Sequence, residues 1–470
     1  MKIRNNTIAK VSIYVVGAFF TQGLTFITLP IFSKLMSPAD YGLYSSYSFW
    51  VAIVGIILGL QMSSSIGNAV IDFGKEKIYT YVSTAIGVGG ITFGVLFIIT
   101  LVLQHPLSNV FEIKEVALLI GVIQSFFIYC LNCMIATLRF IEKPIQYIML
   151  TILNAVVNIG LSIILLYYCI CTNLYMGRVF SSLTAAIISG GISILLICKR
   201  GHKFFDVSYM KYGLVISIPL IFHSLAGLIF ARVDQMILLK TLNSSSAGIY
   251  SYSNSIGQII SVIYTAINQA FVPWYYIKMK NGKKDKIIKV GKLYIDCFTV
   301  LVIGVMMAIP EVIIHFSDEK YYLAVGIVPI LFIAYFINFL YTFPVNYEFY
   351  LKKTMYIAGG TIISMFFNLI LDILLIPIWG EMGAAFATLI SYFLLFLFHF
   401  VIAKQLIGEY EFKIGFFIQN IIIVMFFLAV YYFCINRMGL RYMMILGVSI
   451  FYIGKYFRKS HSKNKINTTI

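Results

Sequence analysis

Residues 42–66 read GLYSSYSFWVAIVGIILGLQMSSSI, a stretch without a single Asp, Glu, Lys or Arg. A helix crosses the hydrocarbon core of a bilayer in about 20 mostly apolar residues, so this stretch is a membrane span. The rest of the chain has the same character. Only 11% of its 470 residues are charged and 60% are hydrophobic, whereas a soluble protein carries roughly 25% charged residues. So few charges could not cover the surface of a soluble fold. Working outward from 42–66, thirteen further segments qualify: 8–32, 80–103, 116–137, 147–168, 177–198, 213–231, 248–275, 293–314, 323–347, 356–376, 382–403, 414–435 and 442–457. The expected fold is an all-α polytopic membrane protein of about 14 transmembrane helices. The first segment follows Met1, Lys2 and Arg4 and is too long for a signal-peptide core, so it reads as an uncleaved span.

The net charge of +17 is first a question of location. Place the N-terminus in the cytoplasm, and the N-terminus, the loops after even-numbered spans and the tail together hold 27 of the 35 Lys and Arg residues. The opposite side holds Lys34, Lys114, Arg178, Arg232, Lys240, Lys320, Arg437 and Arg441. That bias obeys the positive-inside rule for an even number of spans with both termini inside. It explains the basicity through topology and removes nucleic acid as a partner. The run from Lys278 to Lys292 is expected to lie against anionic lipid. Cys130 and Cys133 have CxxC spacing, but they sit in an apolar helix with no second ligand pair and read as packing residues. No metal or cofactor is expected.

The chain also resembles itself. Gly42-Leu43-Tyr44-Ser45 matches Gly248-Ile249-Tyr250-Ser251, Lys143 matches Lys353, and Met176-Gly177 with Phe180 matches Met382-Gly383 with Phe386, at offsets of 206 to 210. Each half holds six spans, an even number, so the halves share one orientation and a parallel pseudo-twofold along the membrane normal. Repeats of this kind build two-lobed transporters with the substrate site between the lobes. The expected divisions are an N-lobe at 1–205, a C-lobe at 206–410, and accessory spans 13 and 14 with a basic cytoplasmic tail at 411–470.

A polar side chain facing lipid is costly, so polar residues at helical spacing mark a face turned to protein or water. In span 5, Thr151, Asn154, Asn158 and Ser162 form such a stripe. At an offset of 210, span 11 repeats it as Thr361, Ser364, Asn368 and Asp372. Span 8 carries Ser251, Asn254, Gln258, Ser261, Thr265 and Asn268. Its counterpart in span 2 is small and mostly apolar. Two readings compete. Amides and hydroxyls glue packed helices together, or they line a wet cavity and hydrogen-bond a polar substrate. The duplicated stripes favour the cavity, and groups that both donate and accept suit a sugar.

Ionisable residues inside the spans are few. Asp296, Asp372 and His223 are the candidates for coupling to H+ or Na+ movement, and Arg232 and Asp234 close the outer end of span 7. Asp372 stands out because it lies on a stripe.

The run from Leu29-Pro30 through Ser37-Pro38-Ala39-Asp40-Tyr41-Gly42-Leu43-Tyr44 resembles the hallmark of the Wzx-type polysaccharide flippases, within the multidrug/oligosaccharidyl-lipid/polysaccharide exporter superfamily. Gln61 to Asn68-Ala69, Arg139-Phe140 with Lys143-Pro144, and Asp234 ahead of Gly248-Ile249-Tyr250 are similar to the family pattern. Val70-Ile71-Asp72 departs from it, since relatives often carry an Arg there. The resemblance implies a protein that flips undecaprenyl-pyrophosphate-linked glycan from the cytoplasmic to the outer face of the bacterial plasma membrane, for capsule, O-antigen or exopolysaccharide, alongside a glycan polymerase complex. The pyrophosphate needs cations, for which Arg139 and Lys143 inside, and Lys34, Arg178 and Arg232 outside, are candidates. Rival readings are a lipid II flippase and a cation-coupled multidrug antiporter. A glycan polymerase, an enzyme, would need a large outer loop carrying catalytic residues, and no connection is long enough.

Overall fold

The computed structural model describes residues 23–467 apart from 25, 170–172, 202–204 and 408–410, with side chains up to residue 454. Residues 8–22 of the first expected span, and Lys2, Arg4, Lys10 and Lys203, lie outside the described residues. All regular structure among the described residues is helical. It comprises α1 (Phe26–Leu35), α2 (Pro38–Ile57), α3 (Ile66–Val102), α4 (Gln104–Phe111), α5 (Glu115–Phe140), α6 (Pro144–Ile164), α7 (Leu174–Cys198) and α8 (Val207–Thr241). There follow α9 (Ser244–Gly257), α10 (Ile259–Lys280), α11 (Lys284–Phe316), α12 (Ala324–Tyr350), α13 (Thr354–Ile407), α14 (Ile414–Phe433) and α15 (Met438–Asn467).

Ten continuous helical stretches are long and apolar enough to cross a membrane. Two are far too long for one crossing. Pro38–Val102 holds 65 residues, and at 1.5 Å per residue a straight helix would run roughly 98 Å, three times the hydrocarbon core. It is interrupted at Gly59, Leu60 and Gln61, three consecutive residues with φ of 58°, 48° and 61°, and again at Gly74 with φ of 80°. Likewise α13 breaks at Gly380, with φ of 58° and ψ of −133°. Each interrupted helix therefore supplies two of the expected spans. The shorter apolar helices Phe26–Leu35 and Met438–Gly454 correspond to the first and last. This is a multi-pass, all-α membrane protein.

Two local departures from expectation have simple causes. The helix expected over 213–231 runs from Val207 to Thr241, its start set by Asp206, whose carboxylate accepts from the Ser208 and Tyr209 amides. The connection after span 3 is itself a helix, α4, with Pro106 in the first turn where its missing N–H costs nothing.

The helix starts follow capping chemistry. Ser37 caps α2: its Oγ accepts from the Asp40 amide at 3.1 Å and donates to the Asp40 carboxylate at 2.6 Å, with Pro38 in the first turn. The turns after α5 and α12 share one geometry. Lys143 N–H donates to Leu138 C=O and Lys353 N–H to Glu348 C=O, both at 2.9 Å. Glu142 and Lys352 are left-handed in each, at φ of 60° and 59°. These positions are 210 apart, so the sequence repeat reappears as a repeated backbone turn.

The chain divides into two compact units, Met1–Tyr252 and Ser253–Ile470. In the first, α2 packs on α5: Trp50 Nε1 donates to Leu118 C=O at 2.9 Å and Tyr47 OH to Gln124 Oε1 at 2.5 Å. Gly121 gives the Trp50 ring its space. Cys130 and Cys133 are buried beside Tyr129 as packing groups. In the second unit α12 is the most deeply buried helix. It is held among the rings of Tyr294, Phe298, Phe336, Phe339 and Phe343, with Phe298 and Phe339 centroids 4.2 Å apart. Arg441 at the start of α15 is buried and pairs with Glu311, donating also to the Met307 carbonyl at 2.6 Å.

Candidate functional site

The stripes are placed differently in the two units. In the first, the stripe of α6 turns to α7. Ser162 and Ser181 hydroxyls meet at 2.5 Å, Ser189 donates to Asn154 Oδ1 at 3.1 Å, and Ser162 lies 3.4 Å from Asn158 Oδ1. Thr151 bonds back to the carbonyls of Tyr147 and Ile148. Here the amides and hydroxyls join two neighbouring helices, and Thr151, Asn154 and Asn158 keep partial exposure.

In the second unit the equivalent stripe on α13 is turned inward. Ser364, Asn368 and Asp372 are 2%, 1% and 0% exposed. The flanking Ile362, Ile363, Phe366, Phe367, Ile370 and Ile373 are exposed. Neither amide atom of Asn368 has a hydrogen-bond partner among the described residues, so an amide able to donate and accept is buried within the helix packing without a described protein partner.

The third stripe is divided. Ser251 and Asn254 are buried, and Asn254 Oδ1 accepts from Tyr335 OH at 2.6 Å. Gln258 and Thr265 are exposed, while Ser261 and Asn268 are half-buried, Asn268 lying 3.5 Å from Tyr294 OH.

Of the cationic candidates, Lys34, Arg139 and Lys143 are exposed and Arg232 is half-buried. Arg178 is engaged: its guanidinium stacks 3.7 Å from the Phe32 ring centroid and 4.4 Å from that of Tyr44. Arg139 stands over Tyr147 at 5.6 Å. Among the coupling candidates, His223 is exposed on α8 and Asp296 is buried on α11. Asp296 borders a cavity of 480 Å³ lined also by Leu293, Val300, Ser449 and Tyr452.

A profile of the family described as "Polysaccharide biosynthesis protein" matches residues 7–276, more than half of the 470-residue chain. The chain belongs to that family. Two relatives from Haemophilus influenzae resemble it. One, an uncharacterized membrane protein, is 25% identical over 396 residues, covering 79% of this chain and 93% of the relative. The other, Lsg locus putative protein 1, is 24% identical over 373 residues, covering 75% and 87%. Among solved structures, the lipid II flippase MurJ in its inward closed conformation superposes with a TM-score of 0.73 at 15% identity, over 95% of this chain and 99% of that one. The Vibrio cholerae MATE transporter VcmN gives 0.59 at 14% identity, over 86% and 97%. The fold is thus the one shared by MurJ and the MATE transporters, and neither family nor fold is that of an enzyme.

Within this polysaccharide biosynthesis protein the hallmark residues serve the fold. Asp40 accepts the Tyr175 amide at 3.1 Å, tying α2 to α7. Gly42 and Gly248 face each other so closely that a Cβ on either would overlap the opposing backbone. Asp234 is buried and accepts from Tyr250 OH at 2.5 Å.

Besides the Arg441–Glu311 pair, sequence reasoning missed a second ionisable pair. Glu348 and His399 are both fully buried, with Oε1 and Nδ1 2.8 Å apart. Glu348 lies one residue beyond the expected end of span 10, and His399 lies inside the expected span 12. The signal was present: Tyr347-Glu348-Phe349 and Phe398-His399-Phe400 each set one ionisable residue between aromatic rings, and such residues in membrane helices are functional by default.

Proposed function

We propose that the protein flips an undecaprenyl-pyrophosphate-linked oligosaccharide from the cytoplasmic to the outer face of the bacterial plasma membrane by alternating access of the two repeats. The observation that carries the reading is the α13 stripe of Ser364, Asn368 and Asp372, inward-facing and uncharged but for Asp372, in a chain of the polysaccharide biosynthesis family. A glycan cannot cross hydrocarbon with its hydroxyls unpaired. Neutral amides and hydroxyls replace water for it, while the prenyl tail stays in lipid. In this reading Thr151, Asn154, Asn158, Ser162, Asn254, Gln258, Ser261, Thr265, Asn268, Ser364 and Asn368 face the substrate path in some step of the cycle. Lys34, Arg139, Lys143, Arg178 and Arg232 meet the pyrophosphate at either surface. Both termini lie in the cytoplasm, the Lys278–Lys292 run rests on anionic lipid, and a glycan polymerase takes the product outside. The lobes are 1–205 and 206–410, with 411–470 accessory.

Membership of the polysaccharide biosynthesis family favours a glycan substrate. The TM-score of 0.73 to MurJ favours lipid II as the second reading. Deleting the gene and locating the lipid-linked repeat units decides between them. Accumulation of these units on the cytoplasmic face, with peptidoglycan synthesis intact, supports the glycan flippase. Accumulation of lipid II supports the second reading, and export as in the parent strain defeats both.

A further inference from the structure

We propose that Glu348 and His399 form a proton-binding site, loaded and unloaded during transport. The proposal rests on the transporter reading above and names a coupling site other than Asp296, Asp372 or His223.

The geometry is that of a closed pair. Both residues are 0% exposed, and Oε1 lies 2.8 Å from Nδ1. The second atom of each, Glu348 Oε2 and His399 Nε2, is buried and has no hydrogen-bond partner among the described residues. His399 Nε2 rests against Gly360, where a Cβ would overlap the imidazole. The glycine therefore lets the ring reach the acid and leaves Nε2 facing bare backbone.

Among the described residues the surroundings supply no fixed counter-charge. Tyr341 on α12 meets the imidazole edge-on at 5.0 Å, and its phenol lies within electrostatic reach of Glu348 and of Tyr264 on α10. Phe398 flanks the ring at 5.1 Å. Lys352 and Lys353 stand in the turn after Glu348, and Lys404 follows His399 towards the end of α13. Among the described residues no Lys or Arg forms an ion pair with either member, and no described hydrogen bond or ion pair joins α11 or α14 to them. The charge of the site is then set by its own protons. With one proton on the pair the net charge is zero, whichever atom carries it. Gaining or losing one leaves a net charge in apolar surroundings. A closed pair keeps its single proton. Once water reaches it, Glu348 Oε2 or His399 Nε2 forms an O–H or N–H bond with a proton taken from hydronium, and the reverse step returns it to water.

The first half of the sequence repeat lacks this pair. The offsets that align the two halves put Leu138 opposite Glu348 and Ser193 opposite His399. Both are 0% exposed as well, so equivalent buried positions are filled by an apolar side chain and by a hydroxyl that bonds its own helix. The second half has placed an acid and a base where packing is satisfied by neither.

The test uses the full chain reconstituted in lipid vesicles, with wild type, E348Q and H399Q compared by pH-difference infrared spectroscopy. Wild type is expected to show a carboxyl band in the pH-difference spectrum that is absent in E348Q. In H399Q, where the imidazole partner is gone, that band is expected to differ in frequency or amplitude from wild type. A folded E348Q whose difference spectrum superimposes on that of wild type overturns the proposal. So does an E348Q strain whose glycan export still responds to collapse of the pH gradient as the parent does. Should wild-type vesicles move no lipid-linked glycan, the substrate assignment fails, while the infrared titration, which needs no substrate, still decides the site.

Discussion

Ser251 donates a hydrogen bond to Ser45 at 3.0 Å across 206 residues of chain, and the repeat makes these two positions equivalents of each other. Ser45 in turn donates to Gln235, so α2, α8 and α9 are joined by one chain of buried hydroxyls and an amide. The same two helices meet through Gly42 and Gly248, again equivalents. Small residues let helix backbones approach closely in a membrane, where packing replaces the hydrophobic effect as the adhesive.

From that contact follows the first prediction. G42L or G248L should each cost about 3 kcal/mol or more, since overpacking alone costs about 1–3 kcal/mol and here the obstacle is backbone. G55A, where a Cβ meets nothing within 4 Å, should be close to neutral. Apparent melting temperatures in detergent check this. Equal behaviour of G248L and G55A would show that the two helices part readily.

The left-handed turn at Gly59–Gln61 separates backbone strain from packing. Gly59 and Gly74 both have positive φ, but a Cβ at Gly59 would overlap the Tyr129 ring while one at Gly74 meets nothing within 4 Å. A non-glycine residue costs about 1–2 kcal/mol in the left-handed helical region of Gly59 and about 1–3 kcal/mol in the extended, nearly glycine-only region of Gly74, where ψ is 166°. G74A should lose about that much. G59A should lose more, and the Y129A background should recover part of the excess, because the ring is the obstacle. The Gly59 amide donates to Thr92 Oγ1 at 2.9 Å, so T92V should also weaken the turn. A double-mutant cycle in thermal stability measures the coupling.

Glu411 gives a pH dependence. It lies between α13 and α14, outside both spans, 9% exposed, and neither carboxylate oxygen has a hydrogen-bond partner among the described residues. Burial pushes its pKa above the ordinary glutamate value, with Lys284 opposing. A raised acid pKa means that folding takes up a proton. The stability penalty from this group is absent below the unfolded pKa, grows as pH rises toward the folded pKa, and is constant above it. E411Q should match wild type in acid and melt higher at neutral pH. Parallel melting curves across that range would mean that Glu411 titrates normally.

How much of this was legible follows the length scale of each signal. Spans were readable because hydrocarbon imposes a long uncharged run, and one repeated turn was readable because Lys143 and Lys353 hold the same place in it. Joins and breaks were not: nothing in Ile57-Leu58-Gly59-Leu60-Gln61 distinguishes three left-handed residues from continuing helix, since Tyr129 and Thr92, distant in sequence, hold them there. The α6 stripe was visible as a stripe, but only its partners Ser181 and Ser189 show that it also joins two helices. Arg441 read as an outer-side charge, yet it is buried on Glu311, a pairing that spacing cannot reveal. Glu348 and His399 escaped because each was weighed alone against an apolar background.

Asn368 offers the test that separates a substrate-facing stripe from helix glue. An amide that is 1% exposed with neither atom hydrogen-bonded among the described residues bears a desolvation cost of about 1–3 kcal/mol. Replacing it by the similar-sized leucine removes that cost and adds apolar packing. If Asn368 serves structure, N368L should damage stability and export together. If it serves a hydroxyl-rich substrate, N368L should hold or raise the melting temperature, by about 1 kcal/mol or more, while export of lipid-linked glycan falls at least tenfold, the equivalent of roughly 1.4 kcal/mol. Stabilisation with loss of activity is the mark of a group kept for function at the expense of the fold. Asn154, whose Oδ1 already accepts from Ser189, should show the opposite pattern: N154L removes a hydrogen bond between α6 and α7 and should lower stability more than it lowers transport. Measured side by side in one expression background, the two leucine variants should therefore move stability in opposite directions. Shifts of the same sign would remove α13 from the substrate path.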